Sequence, residues 1–261
     1  MNRMELQKRL AGTLFLSAML DLTDAEYCVA RGEGAGMVQL GTMIVAPETD
    51  EYAPYRQRWS RTFLPTDRVA MCAQLQAEVA AVRVALGDTL CCLSLAGFAS
   101  EDVVAAAESF WRAGGDFVEL NVHGGLQPWA SQGYLLGMAR PQYRQRLVAW
   151  AQALAALEIP LVIKFNTRLD IDLARVLHDL RHVPVWGYHF NVRDPQIRLP
   201  RYEFVSRIRP LVQGPLLCSG YAWTAEAAQR LFAAGADSVG VAEPVVNDRH
   251  FILKLRQELG S

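Results

Sequence analysis

The chain repeats one local pattern eight times: a short apolar, β-branched run, then a longer stretch with apolar residues every three or four positions. Strands covered on both faces read as near-continuous hydrophobic runs, and the longer stretches have the period of amphipathic helices. The candidate strands are Leu14 to Leu20, Met37 to Met43, Thr89 to Leu95, Phe117 to Val122, Leu161 to Phe165, Val183 to Phe190, Leu216 to Ser219 and Ser238 to Ala242. The intervening helices are expected over Asp24 to Ala30, Val69 to Leu86, Glu101 to Ala113, Gln142 to Leu157, Ile171 to Leu180, Tyr202 to Leu211, Ala225 to Ala233 and Arg249 to Leu259. Eight such pairs in 261 residues favour an α/β fold of the (β/α)8 TIM barrel type, as a single domain over 1–261, rather than an open doubly wound sheet. Ser100, Thr224 and Asp248 are placed as N-caps, and Gly87, Gly114 and Gly235 follow helix C-termini.

Two segments are too long to be simple connectors. Residues 46–67 carry Tyr52, Tyr55, Arg56, Arg58, Trp59, Arg61 and Phe63, and residues 124–141 carry Gln127, Trp129, Gln132 and Tyr134. Both follow strands, so both are expected on the C-terminal face of the barrel, where such folds place their chemistry. They are candidate lids, or aromatic packing onto the rim.

Chemistry concentrates in Asp116-Phe-Val-Glu-Leu-Asn-Val-His-Gly-Gly125 and Pro160-Leu-Val-Ile-Lys-Phe-Asn166. Each is an apolar strand ending abruptly in polar side chains, which delivers Asn121, His123, Lys164 and Asn166 to the barrel mouth. Lys164 is one of only three lysines, with Lys8 and Lys254. A cation there needs a partner, either a ligand's negative charge or a salt bridge with a residue such as Glu119.

The formal charge of −1 and pI near 6.5 remove the broad attraction that drives non-specific nucleic-acid binding. Five cysteines, at positions 28, 72, 91, 92 and 218, lack the spacing of a zinc or iron–sulfur site and suit a reducing compartment. No uninterrupted apolar run approaches the ~20 residues needed to cross a bilayer, and the polar start lacks a signal-peptide core. A cytoplasmic protein without membrane attachment is expected.

Leu16-Ser-Ala-Met-Leu-Asp-Leu-Thr-Asp24 resembles the opening strand and turn of the dihydrouridine synthases. The resemblance continues through Glu119-Leu-Asn121, Gln132-Gly-Tyr-Leu-Leu136, Lys164 and Gly235-Ala-Asp-Ser-Val239, while Ser94-Leu-Ala-Gly97 is closer to the related dihydroorotate dehydrogenases. It covers nearly the whole barrel. It implies an FMN-binding barrel that moves hydride between flavin and a pyrimidine-like ring. Carried onto this chain, Met19 lies near the flavin ring, Ser94 and Asn121 supply polar contacts, and Lys164 lies beside the pyrimidine end, where a cation stabilises reduced flavin. His189 matches a histidine with a similar ring contact. Ser219, Gly220 and Tyr221 with Ala242 and Glu243 take the phosphate positions, and Asn166, Arg168 and Arg193 are candidate substrate contacts.

The departures from that pattern shape the functional expectation. Gly124 stands where the synthases carry a proton-donating cysteine, so His123 is proposed as the general acid. Glu243 stands where the pattern has a cation. The chain also ends soon after the eighth helix, without the helical domain of the tRNA-modifying enzymes, so a small molecule is expected rather than tRNA. The leading expectation is an FMN-dependent oxidoreductase acting on the C=C bond of a small heterocyclic or anionic metabolite, with Arg56, Arg58, Arg61, Arg168 and Arg193 available to an anion. Two alternatives stay open: a flavin-free lyase or isomerase using Lys164, His123, His189 and Glu243, and a non-catalytic binding subunit.

Overall fold

The computed structural model describes residues 2–167 and 171–260. Eight parallel strands close into a barrel in chain order, the first pairing with both the second and the last. They are Thr13–Leu16, Met37–Val45, Leu90–Gly97, Phe117–Val122, Leu161–Asn166, Gly187–Asn191, Leu216–Ser219 and Ser238–Val241. A short antiparallel pair, Arg193–Asp194 with Leu199–Pro200, decorates the rim after the sixth strand. The (β/α)8 architecture expected from the alternation is therefore the one observed.

Side chains alternate across each strand, so each contributes to two different cores. Outward residues such as Leu93, Val118, Leu120, Ile163 and Phe190 pack under the helices in the main core. Inward residues Phe15, Met37, Leu90, Cys92, Phe117, Val162 and Leu217 fill the lower barrel. Leu6 and Leu10 of the helix Arg3–Leu10 join that cluster with Trp186 and close the barrel base. Continuing up the same inward face brings Gln39, Ser94, Glu119, Lys164 and His189 to the next level, all buried. The apolar fill thus gives way to a polar layer beneath the mouth.

Most helices sit within two residues of their sequence expectation. Thr224 caps the helix Ala225–Ala233 by accepting a hydrogen bond from the Ala227 amide, and Gly87 ends the helix Arg68–Leu86 at φ +55°. Two expected N-caps are corrected: Ser100 lies inside its helix behind Ala99, and Asp248 sits ahead of His250, which precedes the helix Phe251–Leu259. The sixth strand starts at Gly187, not Val183, because Pro184 lacks an amide for the ladder and Val185 turns back onto Val183.

The helix Arg68–Leu86 is long and apolar enough to cross a membrane on length and composition alone, which the sequence expectation did not anticipate. Met71, Leu75, Val79 and Val82 are buried against the barrel. Its charges are also engaged by neighbouring elements, with Glu78 accepting from the Ala25 amide and Arg83 paired to Asp116 at 2.7 Å. It serves here as a barrel helix.

The two long loops meet over the mouth. Residues 46–67 contain a short helix, Ala53–Arg58, that no periodicity or capping residue foreshadows. Trp129, fully buried, holds the loops together through ring contacts to Tyr55 at 4.5 Å, Phe98 at 4.8 Å, Tyr52 at 5.6 Å and Phe63 at 6.5 Å. Their aromatics therefore pack with one another, and the resulting apolar cluster includes Ile44 and Leu135 of the cavity wall.

Candidate functional site

A cavity of about 290 Å³ opens at the C-terminal ends of the strands, above the buried polar layer. Leu20, Ile44, Leu126 and Leu135 give it an apolar wall, and Asn121, His123, Lys164, Arg193, Ser219 and Glu243 give it a polar one. Its volume is on the scale of a site for one small ligand.

The centre of the polar layer is Glu119, whose side chain is wholly buried. Gln39 Nε2 donates to its Oε2 at 2.8 Å and Ser94 Oγ to its Oε1 at 2.9 Å. His189 Nδ1 lies 2.6 Å from Oε2, and Lys164 Nζ lies 3.7 Å from Oε1. Burial alone pushes this carboxyl up, but Lys164, His189 and the hydrogen bonds together outweigh it and hold Glu119 down to about 2. His189 is also lowered from its usual range, to about 4, because burial and the Lys164 charge both oppose an imidazolium. At neutral pH the layer therefore holds an ionised Glu119 and a neutral His189.

Ser219 Oγ lies 2.8 Å from His189 Nε2, so Ser219, His189 and Glu119 have the connectivity of a hydrolytic triad. The electrostatics argue against that use. A ring that takes up a proton only near pH 4 is a weak base for a serine hydroxyl, and Lys164 opposes the imidazolium that the reaction would create.

The structure brings most sequence-identified residues to one place. Met19, Asn121, His123, Lys164, Arg193, Ser219, Gly220, Tyr221, Ala242 and Glu243 all line the cavity. Three assignments change and a fourth falls outside the described residues. Ser94 and His189 are completely buried, with Ser94 Oγ committed to Glu119 and both His189 nitrogens committed within the protein, so they support the wall from behind instead of touching a ligand. Asn166 ends the fifth strand outside the cavity lining. Arg168 lies outside the described residues.

His123 reaches the mouth, but not as a stored proton. Burial and then the Lys164 charge hold its pKa well below the usual 6.5, so the expected near-neutral imidazolium is replaced by a neutral ring. Its Nε2 is buried and has no hydrogen-bond partner among the described residues. The loop that carries it is set by Asn121, whose Oδ1 accepts from the amides of His123 at 2.9 Å and Gly124 at 3.0 Å. The same side chain donates through Nδ2 to Thr42 Oγ1 at 2.6 Å.

The outer end is less cationic than an anion site requires. Arg193 Nη1 lies 3.3 Å from Glu243 Oε1, which cancels its charge locally. Gly220, at φ +107°, brings bare main chain against this pair; a Cβ there would lie 2.8 Å from both Asn191 Oδ1 and the Arg193 Cβ. Three of the other arginines expected to grip an anion are structural. Arg56 covers Phe63, Arg58 covers Trp59, and Arg61 pairs with Asp24 at 2.9 Å, and none of the three lines the cavity. Sequence reasoning missed Gln39, Ser17 and Thr42, although the inward alternation of the first two strands carries the signal for Ser17 and Gln39.

These residues suit the ring of a flavin: a buried cation in the floor, an unpartnered imidazole nitrogen in the wall, and an apolar face opposite. At the outer end the main chain at Gly220 is bare, and Arg193 is held by Glu243.

Fold and site together define a (β/α)8 barrel with a ligand cavity at its C-terminal face. Among solved structures the chain is similar to DHODH from Eimeria tenella, determined in complex with ferulenol, with a TM-score of 0.68 and 16% sequence identity over 95% of this chain and 80% of that one. The likeness is one of fold. No protein-family model matches the chain. No curated protein matches it by sequence.

Proposed function

We propose that the protein is an FMN-dependent oxidoreductase of the dihydrouridine synthase-like type, acting on a C=C bond of a small heterocyclic or anionic metabolite. The observation that carries this reading is Lys164, a buried cation in the floor of the mouth cavity of a DHODH-like barrel. Bound FMN supplies hydride transfer. The chain's own residues bind, orient and exclude water: Lys164 offers positive charge to the pyrimidine end, Asn121 shapes the wall, and Arg193 with the Gly220 main chain receives the phosphate. His123 lines the cavity beside the reacting ligand. A negative charge arriving in the cavity raises the His123 pKa again, by the same coulombic reasoning that lowers it beside Lys164. Proton donation by His123 is therefore coupled to ligand charge. Unpaired cysteines, four of them buried, suit a cytoplasmic setting. A lyase or isomerase using His189 is less favoured, because both of its ring nitrogens are committed within the protein.

The test is titration of the purified protein with FMN, following flavin fluorescence and melting temperature. Binding quenches the fluorescence and raises the melting point. If saturating FMN produces neither change, the reading is refuted.

A further inference from the structure

The charge on Glu119 fixes the hydrogen-bond polarity of two hydroxyls on the cavity wall. Gln39 donates through Nε2 to Glu119, so its Oε1 is turned away and accepts from the Ala18 amide at 3.1 Å and Ser17 Oγ at 3.3 Å. Ser17 has then spent its only hydrogen and presents lone pairs to Lys164 Nζ, 3.4 Å away. On the other side, the ionised Glu119 can only accept, so the His189 nitrogen 2.6 Å from it must carry the hydrogen. A neutral imidazole has one N–H, which leaves Nε2 bare. Ser219, 2.8 Å away, therefore donates to it. Its hydrogen is also spent.

We propose that Ser219 is a specificity-determining residue whose hydroxyl is locked as a hydrogen-bond acceptor, so that the cavity selects a heterocycle presenting an N–H to Ser219 and a carbonyl or anionic oxygen to Lys164. An ordinary serine adapts by rotating its hydrogen and accepts either kind of partner. Ser219 cannot, because rotation would leave His189 Nε2 buried without a partner. The adjacent wall is open at this point because the neighbouring position is Gly240, where a Cβ would come within 2.8 Å of the Ser219 Cβ and 2.4 Å of the Phe15 ring. His189 and Glu119 act through Ser219 and are positioning residues.

The inference rests on the flavin reading for its choice of ligand probe, but its first test does not. In protein labelled with ¹⁵N-histidine, the nitrogen shifts of His189 report its tautomer. The resonance is assigned by its loss in His189→Gln or, if that variant does not fold, by its slow exchange with solvent. The expected state is a neutral ring protonated at Nδ1; protonation at Nε2, or at both nitrogens, overturns the proposal. The second test compares FMN with 3-methyl-FMN, which lacks the ring N–H, by fluorescence quenching. Wild type is expected to favour FMN at least about tenfold, Ser219→Ala to shrink that preference to about threefold or less, and Ser219→Thr to restore it. Equal affinity of wild type for the two flavins, or an undiminished preference in Ser219→Ala, also overturns it. If neither flavin binds, the flavin reading fails, and the His189 tautomer alone decides whether the hydroxyl is locked.

Discussion

Lys164 Nζ lies 3.7 Å from Glu119 Oε1 inside the barrel, where the two side chains are 4% and 0% exposed. The separation is too long for a strong hydrogen bond, so charge links them while Gln39, Ser94 and His189 satisfy the carboxylate directly. The two partners therefore differ in how well each survives loss of the other.

Glu119→Gln leaves Lys164 as a buried cation without its counter-charge. The expected cost is about 3–5 kcal/mol, the range for breaking a buried pair from one side. Lys164→Met should cost less, about 1–3 kcal/mol, because three donors to Glu119 remain. Urea unfolding of both variants checks the order; equal losses would show that the pair acts symmetrically.

Acid should destabilise the fold in two stages. The His189 pKa is depressed to about 4 in the folded protein against an ordinary 6.5, so its contribution is complete above pH 6.5 and is lost as pH falls through 4. His123 is depressed in the same sense. Glu119, held at about 2 against 4.5, keeps its contribution above pH 4.5 and loses it towards pH 2. Unfolding free energies at pH 7, 5.5 and 4 should fall less steeply in His189→Gln than in wild type, while the steeper decline below pH 4.5 persists.

Gly124→Cys should fold with a melting temperature within about 2 °C of wild type. A Cβ there meets Leu135 at 3.6 Å and Asn121 Oδ1 at 3.8 Å, which are ordinary contacts, and the backbone is outside the left-handed region. The new thiol faces the cavity, whereas four native cysteines are buried and Cys72 is half-buried elsewhere. Thiol titration should find one additional fast-reacting group, protected by FMN. Under the flavin reading the variant also regains the proton donor of the dihydrouridine synthase pattern, and the oxidation of reduced flavin by substrate should accelerate.

Trp129→Ala should loosen both long loops together. Truncating a buried tryptophan costs about 3–5 kcal/mol, and Trp129, itself in the second loop, touches three rings of the first loop and Phe98. Limited proteolysis should cut within 46–67 and 124–141 at similarly raised rates. Cleavage confined to one loop would show that they are anchored separately.

The barrel was legible because its signal is local: apolar runs of strand length alternate with helical periodicity. The inward face of the fourth strand was legible by the same rule, since Phe117, Glu119, Asn121 and His123 are spaced by two. Sequence does not show which inward groups meet across the barrel axis. Ser94 and His189 sit where ligand contacts are expected, yet Glu119, from the strand beside Ser94, engages both. His123 illustrates the same limit in electrostatic form, because its neutrality comes from burial and from Lys164 on the neighbouring strand. The short helix Ala53–Arg58 escaped because its Tyr52 cap makes no side-chain bond and none of its residues is buried.

The helix Arg3–Leu10 stoppers the barrel from below, with Leu6, Leu10 and Trp186 packed onto Phe15 and Phe117. Among the described residues the cavity is thus a blind well, closed along the axis from below. Whatever enters must leave by the same doorway at the C-terminal face. Two reactants that both need the floor must take turns, and the first product has to depart before the second reactant arrives. For a redox enzyme that architecture imposes a ping-pong order, visible as parallel lines in double-reciprocal plots.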